Sequence, residues 1–131
     1  MNPDPSAPRA AVPTAGDLLS DPAHGGPLDG PHVLGEARAG DRFVRVGLWL
    51  DGRGWVARAR FQATVCASLV AYAEAACRAL EAGVTDLGPA ALQARVRGIH
   101  PAHRDRAAIV AAAVLDALSR VTRPTPAQEP A

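Results

Sequence analysis

Cys66, His100 and His103 carry the side chains of this sequence that are best suited to sulfur or metal chemistry. Cys66 precedes a long helical pattern, so it should stand at a helix N-terminus, where the macrodipole and free N–H groups favour the thiolate. The alternative is a small buried hydrophobic side chain, the commonest fate of a free cysteine. His100 and His103 lie three residues apart and can face one way to bind a metal, or His103 can be a solvated first-turn residue.

The remaining cysteine and histidines have more ordinary expected roles. Cys77 lies three turns beyond Cys66 on the same helix, about 16 Å away at 1.5 Å per residue, so the two cannot share a metal ion. It falls on the apolar stripe of the helix, which predicts core packing. His24 and His32 occur among glycines and prolines, and we expect both to be exposed.

A β-hairpin should position Cys66. Apolar residues alternate over residues 44–50, a second alternating run covers 57–63, and Asp-Gly-Arg-Gly at 51–54 is typical of the turn between them. Residues 30–38 could add a further strand, which would make the two-stranded ribbon more stable.

The register of this hairpin predicts which residues meet at its open end. Pairing Leu50 with Trp55 across the turn would set Asp41 opposite Thr64, two residues before Cys66. A slip of one or two residues would not separate them far. We therefore expect Asp41 and Cys66 to lie close together where the second strand leads into the long helix.

Three helices should follow the hairpin. Apolar spacing and Gly83 predict a helix over 66–82, Pro89 and Gly98 bracket one over 89–97, and the last should run from near residue 101 to about 121. Helices must cover one face of the sheet, so the fold class is α+β: a small antiparallel sheet covered by about three helices in two layers.

Chain length and composition fit one domain. The chain has 131 residues, and 29 of them are alanine, which favours closely packed helices because alanine has high helix propensity and little area to bury. Proline and alanine enrichment predicts a flexible tail over residues 1–16 and a second over 122–131, with the folded domain at 17–121.

Charge and hydropathy exclude some function classes. The 14 basic residues are all arginine, are scattered along the chain and leave a net charge of +1, which argues against nucleic-acid binding. No run of 18 apolar residues predicts a membrane span, and residues 1–16 lack the apolar stretch of a signal peptide. We expect a cytoplasmic protein in which two cysteines do not form a disulfide framework.

Several segments, taken in order, resemble the U-type iron–sulfur cluster scaffold family, which comprises IscU proteins and the N-terminal domain of NifU. Ala-Arg-Phe-Gln-Ala-Thr-Val-Cys-Ala-Ser at 59–68 is similar to the family's A-R-F-K-x-x-G-C-x-S. Ala-Gly-Asp at 39–41 resembles its Cys-Gly-Asp, and His-Pro at 100–101 falls where the family has His-Cys. Residues 21–28 are similar to its early N-P-x-N-x-G element, so the resemblance spans about residues 18–121.

The resemblance implies a small antiparallel sheet with packed helices. It also implies a site at which Asp41, Cys66 and His100 bind iron or an iron–sulfur cluster, and at which Cys66 accepts persulfide sulfur. Ala39 and Pro101 replace two family cysteines, and the family's L-P-P-x-K segment is missing. One thiolate is a poor donor set for a bridged two-iron cluster.

A mononuclear site is easier to complete with the ligands that remain. Asp41, Cys66 and His100, with His103 or water as the fourth ligand, would suit zinc or iron(II). A symmetric dimer could alternatively pool two Cys66 thiolates around one cluster.

The resemblance implies a cysteine desulfurase and apo-protein acceptors as partners, while charge and hydropathy predict neither nucleic acid nor a membrane as a partner. The first functional hypothesis is therefore a scaffold-like protein that is not itself an enzyme. The alternative is a cluster-free binding or regulatory module that docks a desulfurase or another assembly partner, with a structural zinc site as a further possibility.

Overall fold

A computed structural model of the chain describes residues 12–121. The elements in order are α1 (Ala15–Ser20), β1 (Val33–Ala39), β2 (Arg42–Leu50), β3 (Val56–Ala63), α2 (Ala67–Glu81), α3 (Pro89–Gln93), a 3-10 turn (Pro101–His103) and α4 (Arg106–Ser119). The strands form one antiparallel sheet in the order β1-β2-β3, and the extra strand expected near residues 30–38 is β1. The predicted α+β class with a small antiparallel sheet is confirmed.

The inner face of the sheet forms half of the hydrophobic core. Val44, Val46 and Leu48 alternate along β2 as predicted and are fully buried beneath the helices. Helix α2 contributes Cys77, which has no exposed surface, so its assignment to the core is confirmed. The sequence-wide excess of alanine has its role here, because α2 and α4 bury these small residues: Ala71, Ala73, Ala75, Ala76, Ala79, Ala107, Ala111, Ala113 and Ala117.

The predicted register of the hairpin was wrong. Leu50 pairs with Val56 rather than with Trp55, across an irregularity between Trp49 and Leu50. The turn is longer than assumed because the Asp51 carboxylate accepts the N–H groups of both Arg53 and Trp55, at 2.8 and 3.0 Å.

The corrected register changes the pairing at the open end of the hairpin. Thr64 pairs with Phe43 rather than with Asp41: the Thr64 N–H donates to the Phe43 carbonyl at 3.1 Å, and the Phe43 N–H donates to the Thr64 hydroxyl at 2.7 Å. From Trp49 to the open end the displacement is two residues, so the side chains there keep the face on which the alternation placed them, whereas Ala57 at the irregularity is exposed.

Strand β1 and helix α4 approach closely at Gly35. A Cβ atom at this position would lie 2.3 Å from the backbone nitrogen of Ala117 and 2.4 Å from the carbonyl oxygen of Ala113. Nearby, the Asp116 carboxylate on α4 accepts the Glu36 N–H at 2.9 Å. Glycine therefore permits the contact between the two layers, and a helix side chain pairs with the strand.

Helix α1 was not predicted, and it places the start of the folded region before residue 17. Thr14 and Asp17 form a reciprocal capping box with two 3.0 Å hydrogen bonds. The Ala15 N–H donates to the Arg97 carbonyl at 2.7 Å, and Leu18 is fully buried in the core. Residues 12–16 thus belong to the fold, whereas the tail predictions for 1–11 and 122–131 lie outside the described residues.

The later helices differ from prediction mainly in their ends. Helix α2 confirms the predicted span within one residue at each end. Helix α3 ends at Gln93 rather than at residue 97, and Arg97 pairs instead with the segment preceding α1. The last helix begins at Arg106 after a separate 3-10 turn, which the His100 side chain caps by accepting the Ala102 N–H at 3.0 Å. Among residues 12–121, no helix is long and apolar enough to cross a membrane.

Candidate functional site

Cys66 occupies the N-cap position of α2, as predicted. Its backbone is extended, with φ −151° and ψ 117°, and its side chain is half-buried. The Thr64–Phe43 hydrogen bonds fix the chain two residues earlier, where β3 ends and turns toward the helix. The sulfur therefore stands in front of the first turn of a 15-residue helix.

The surroundings of Cys66 favour its charged form. Burial raises the pKa of the thiol, but the Leu69 N–H, the Arg106 and Arg42 guanidinium groups and the Ser68 N–H together outweigh burial and leave the pKa below its ordinary value. The sulfur makes no capping hydrogen bond of ordinary geometry. The thiolate is thus stabilised by several N–H groups and positive charges together.

Arg106 is held firmly in this position. Only 13% of its side chain is exposed, and its Nη1 donates to the adjacent Asp105 carboxylate at 2.6 Å. Its Nε is buried and has no hydrogen-bond partner among the described residues. The hydrogen bond to Asp105 and the interaction with Cys66 raise the pKa of Arg106, so the guanidinium stays charged beside the sulfur.

The two predicted histidine ligands flank the 3-10 turn that precedes α4: His100 caps it and His103 is its last residue. Their rings are 5.5 Å apart, and both residues are exposed. His103 Nδ1 lies 3.2 Å from the Ser68 hydroxyl, so this histidine reaches the first turn of α2. His100 uses its Nδ1 to accept the Ala102 N–H, which leaves its Nε2 as the ring nitrogen available to a ligand.

Asp41 lies exposed in the short turn between β1 and β2. Among residues 12–121, no three His, Cys, Asp or Glu side chains are arranged to hold a metal ion. Asp41, Cys66, His100 and His103 therefore do not form a preassembled ligand group in this conformation. What the structure does bring together is Cys66, two arginines and the Ser68–His103 pair.

Sequence reasoning missed both arginines beside Cys66. Arg42 was open to prediction, because it precedes Val44 by two residues and so shares the inward face of β2. Arg106 carried no such signal, since its position depends on where α4 begins and how α4 crosses α2.

His24 is a second departure from expectation. Only 13% of its side chain is exposed, and its ring lies between two carboxylates of α2, at 2.6 Å from Glu74 and 2.7 Å from Glu81. The prediction of an exposed His24 was wrong because Glu74, a helix residue with no exposed surface, requires polar partners. His32 is exposed, as predicted.

An apolar groove of about 370 Å³ lies elsewhere, between α4 and the segment that leads into α3. Leu87, Ala111 and Leu115 line it, and none of the predicted site residues does. The groove therefore adds nothing to the chemistry at Cys66.

Comparison with protein-family models and with curated proteins gives no match to this chain.

Proposed function

We propose that the protein is a sulfur-accepting relative of the U-type iron–sulfur scaffolds, and that Cys66 takes up persulfide sulfur from a cysteine desulfurase. The observation that carries the proposal is the position of Cys66 at the start of α2, where Arg42 and Arg106 help to lower the pKa of its thiol. A nucleophilic thiolate is what sulfur transfer requires.

The transfer step exchanges one sulfur–sulfur bond for another. The Cys66 thiolate attacks the outer sulfur of the donor persulfide, a bond forms between the two sulfurs, and the donor cysteine leaves as a thiolate. The outer sulfur keeps its proton, and when Cys66 persulfide later loses that proton, Arg42 and Arg106 compensate the new negative charge. No external oxidant or reductant is consumed.

Iron or a cluster would be the cargo of such a protein, and one copy offers few ligands for it. The chain has two cysteines, and Cys77 is fully buried, so Cys66 is the one accessible thiol. The donor set in one copy does not fit a bridged cluster, which takes most of its ligands from thiolates. A second, separate part of the proposal is the binding of one iron or zinc ion through Asp41, Cys66, His100 and His103, or of a cluster shared by the Cys66 thiolates of two copies.

The test is persulfide loading by a purified cysteine desulfurase with L-cysteine under anaerobic conditions, followed by intact-mass measurement without reductant. We expect the wild-type protein and Cys77→Ala to gain one sulfur atom, and Cys66→Ser to gain none. Serine is a preferred N-cap residue, so Cys66→Ser should keep α2 intact. Equal sulfur uptake by Cys66→Ser and wild type would disprove the assignment.

The alternative of a cluster-free docking module has one observation in its favour. Val65, beside Cys66, is an apolar residue with 99% of its surface exposed. If the desulfurase forms a complex with wild type and with Cys66→Ser, but neither gains sulfur, docking without transfer is the better account. Metal analysis after anaerobic incubation with iron and sulfide, or with zinc, tests the cargo separately.

A further inference from the structure

A segment on the side of the sheet next to β3, which we call the strap, consists of residues 21–26 between α1 and β1. Its backbone pairs with β3: the Phe61 N–H donates to the His24 carbonyl at 2.9 Å, and the Gly26 N–H donates to the Phe61 carbonyl at 3.1 Å. The strap therefore occupies the outer edge of β3.

His24 attaches the strap to α2 through its ring and its backbone. The His24 N–H and Nδ1 both bind Glu74, at 2.9 and 2.6 Å, and Nε2 binds Glu81 at 2.7 Å. Glu81 also accepts the Ala59 N–H of β3 at 2.9 Å. One ring thus links three parts of the fold.

This arrangement requires a particular protonation state. A neutral imidazole has one donor and one acceptor nitrogen, whereas an ionised carboxylate only accepts hydrogen bonds. Both ring nitrogens of His24 face carboxylate oxygens, so both must carry a proton to donate a hydrogen bond. A neutral ring carries only one such proton, and the two ionised carboxylates carry none. The imidazolium form satisfies both contacts.

Two carboxylates and two arginines surround the His24 ring. From α2, the ring meets Glu74 and Glu81, and Arg78 binds Glu74 at 2.7 Å. From β3, Arg60 extends to the Ala23 carbonyl of the strap at 3.4 Å. Burial raises the pKa of Glu81, but the Ala59 N–H and His24 outweigh burial and keep the pKa below its ordinary value.

The nearby thiol of Cys77 adds no charge to the cluster around His24. Burial, followed by the charges of Glu74 and Glu81, raises the pKa of Cys77 far above its ordinary value, so this thiol stays neutral. Loss of the His24 proton would leave Glu74, which has no exposed surface, with Arg78 as its remaining cation. One ring nitrogen would then direct a lone pair at a carboxylate oxygen.

We propose that residues 21–26 form a proton-operated strap, which protonated His24 holds on α2 and which opens from the edge of β3 when the ring loses its proton. Only the doubly protonated ring can donate to both carboxylates, so loss of one ring proton removes one of the two hydrogen bonds that hold the strap on α2. Opening would free the outward N–H and C=O groups of Phe61.

The test combines two NMR measurements on the full chain at about pH 6 and about pH 8.5. Long-range proton–nitrogen spectra report the protons on the His24 ring, and amide exchange reports protection factors for Gly26 and Phe61. In the wild type, we expect both ring nitrogens to be protonated at the lower pH. Protection of the two amides should then fall about tenfold or more at the higher pH, while Val46 in β2 is spared.

Three variants sharpen the test. His24→Gln should have low strap protection at both pH values. Glu74→Gln should remove most of the pH effect, because its amide can donate to the lone pair of a neutral ring. His32→Gln is the matched control, since His32 accepts the Leu50 N–H through Nδ1 at 2.7 Å and needs no second ring proton.

A His24 ring with a single proton at about pH 6 would overturn the proposal. So would an equal loss of protection at Gly26, Phe61 and Val46, because this result would indicate global rather than strap opening. If His24→Gln does not fold, the wild type, Glu74→Gln and His32→Gln still decide between these outcomes.

Discussion

At the scale of single residues, Cys66 differs from an ordinary helix cap. Serine, threonine, asparagine or aspartate usually accepts the first free N–H groups of a helix. Here a sulfur faces those groups, and Arg42 and Arg106 add two positive charges to them. The same local arrangement that begins α2 therefore activates the thiol.

The contribution of Arg106 to this activation can be measured. Arg106→Gln should raise the pKa of Cys66 and slow its alkylation at neutral pH by about two- to fivefold, because less thiolate is present. Arg106→Lys should recover part of the rate. The rate at neutral pH and its pH profile, recorded with a small neutral alkylating reagent, test this expectation.

Arg53→Gln serves as the matched control for the arginine substitution. Arg53 is exposed in the β2–β3 turn, at the opposite end of the hairpin from Cys66. We expect Cys66 in Arg53→Gln to be alkylated at the same rate as Cys66 in the wild type. An unchanged rate in Arg106→Gln as well would mean that Arg42 and the helix N–H groups set the reactivity without Arg106.

The predictability of the site differed from residue to residue. The place of Cys66 followed from a strand pattern that ends just before a helical one, which is local information. Arg106 and His24 could not be placed in this way, because their surroundings depend on long-range packing: α4 against α2 for Arg106, and the buried carboxylate of Glu74 for His24.

At the scale of elements, the contact between β1 and α4 depends on Gly35. Gly35→Ala should lower the free energy of unfolding by about 2 to 3 kcal/mol, because a Cβ atom would meet helix backbone that cannot move without shifting the layer. Gly52→Ala is the control, since a Cβ atom there meets nothing within 4 Å.

Urea unfolding of the two glycine variants and the wild type provides the measurement. Gly52→Ala should stay within about 0.5 kcal/mol of the wild type. If Gly35→Ala changes the free energy of unfolding as little as Gly52→Ala does, the sheet and α4 are able to separate slightly. The close approach at Gly35 is then not a requirement of the fold.

The elements themselves were well predicted where their periodicity was long. Helix α2 and strands β2 and β3 followed from apolar spacing of period 3.6 and 2, whereas β1 was expected as an additional strand without such a pattern. Helix α1 was missed because it is six residues long and its capping box lies in a proline- and alanine-rich stretch. The register was wrong because the Asp51 side chain lengthens the turn, a detail of side-chain hydrogen bonding.

At the scale of the whole molecule, three aspartates should make the free energy of unfolding decrease in acid. Backbone N–H groups lower the pKa of Asp17, Asp51 and Asp116: that of Thr14 for the first, those of Trp55 and Arg53 for the second, and that of Glu36 for the third. A carboxylate whose folded pKa is lowered stabilises the fold above its unfolded pKa. That stability is lost as the pH falls through the folded value.

We expect the protein to lose stability in acid, and Asp17, Asp51 and Asp116 each to contribute to this loss. Urea midpoints should fall as the pH drops below the ordinary aspartate value of 3.8. The triple variant Asp17→Asn, Asp51→Asn, Asp116→Asn should be less stable than the wild type at neutral pH, and the difference should narrow in acid. A difference that is constant with pH would show that these carboxylates do not contribute through their charge.

The hydrogen bond from the Glu36 N–H to Asp116 affects how readily the protein can associate with other copies of itself through the edge of the sheet. An edge strand with unpaired N–H and C=O groups is a template on which another chain can add a strand. The Asp116 carboxylate occupies such an N–H on β1, and residues 24–26 pair with Phe61 on the opposite edge. Each outer strand of the sheet therefore has a position occupied by another part of the same chain, Glu36 on β1 and Phe61 on β3, and this occupation should hinder the addition of a strand from a second copy.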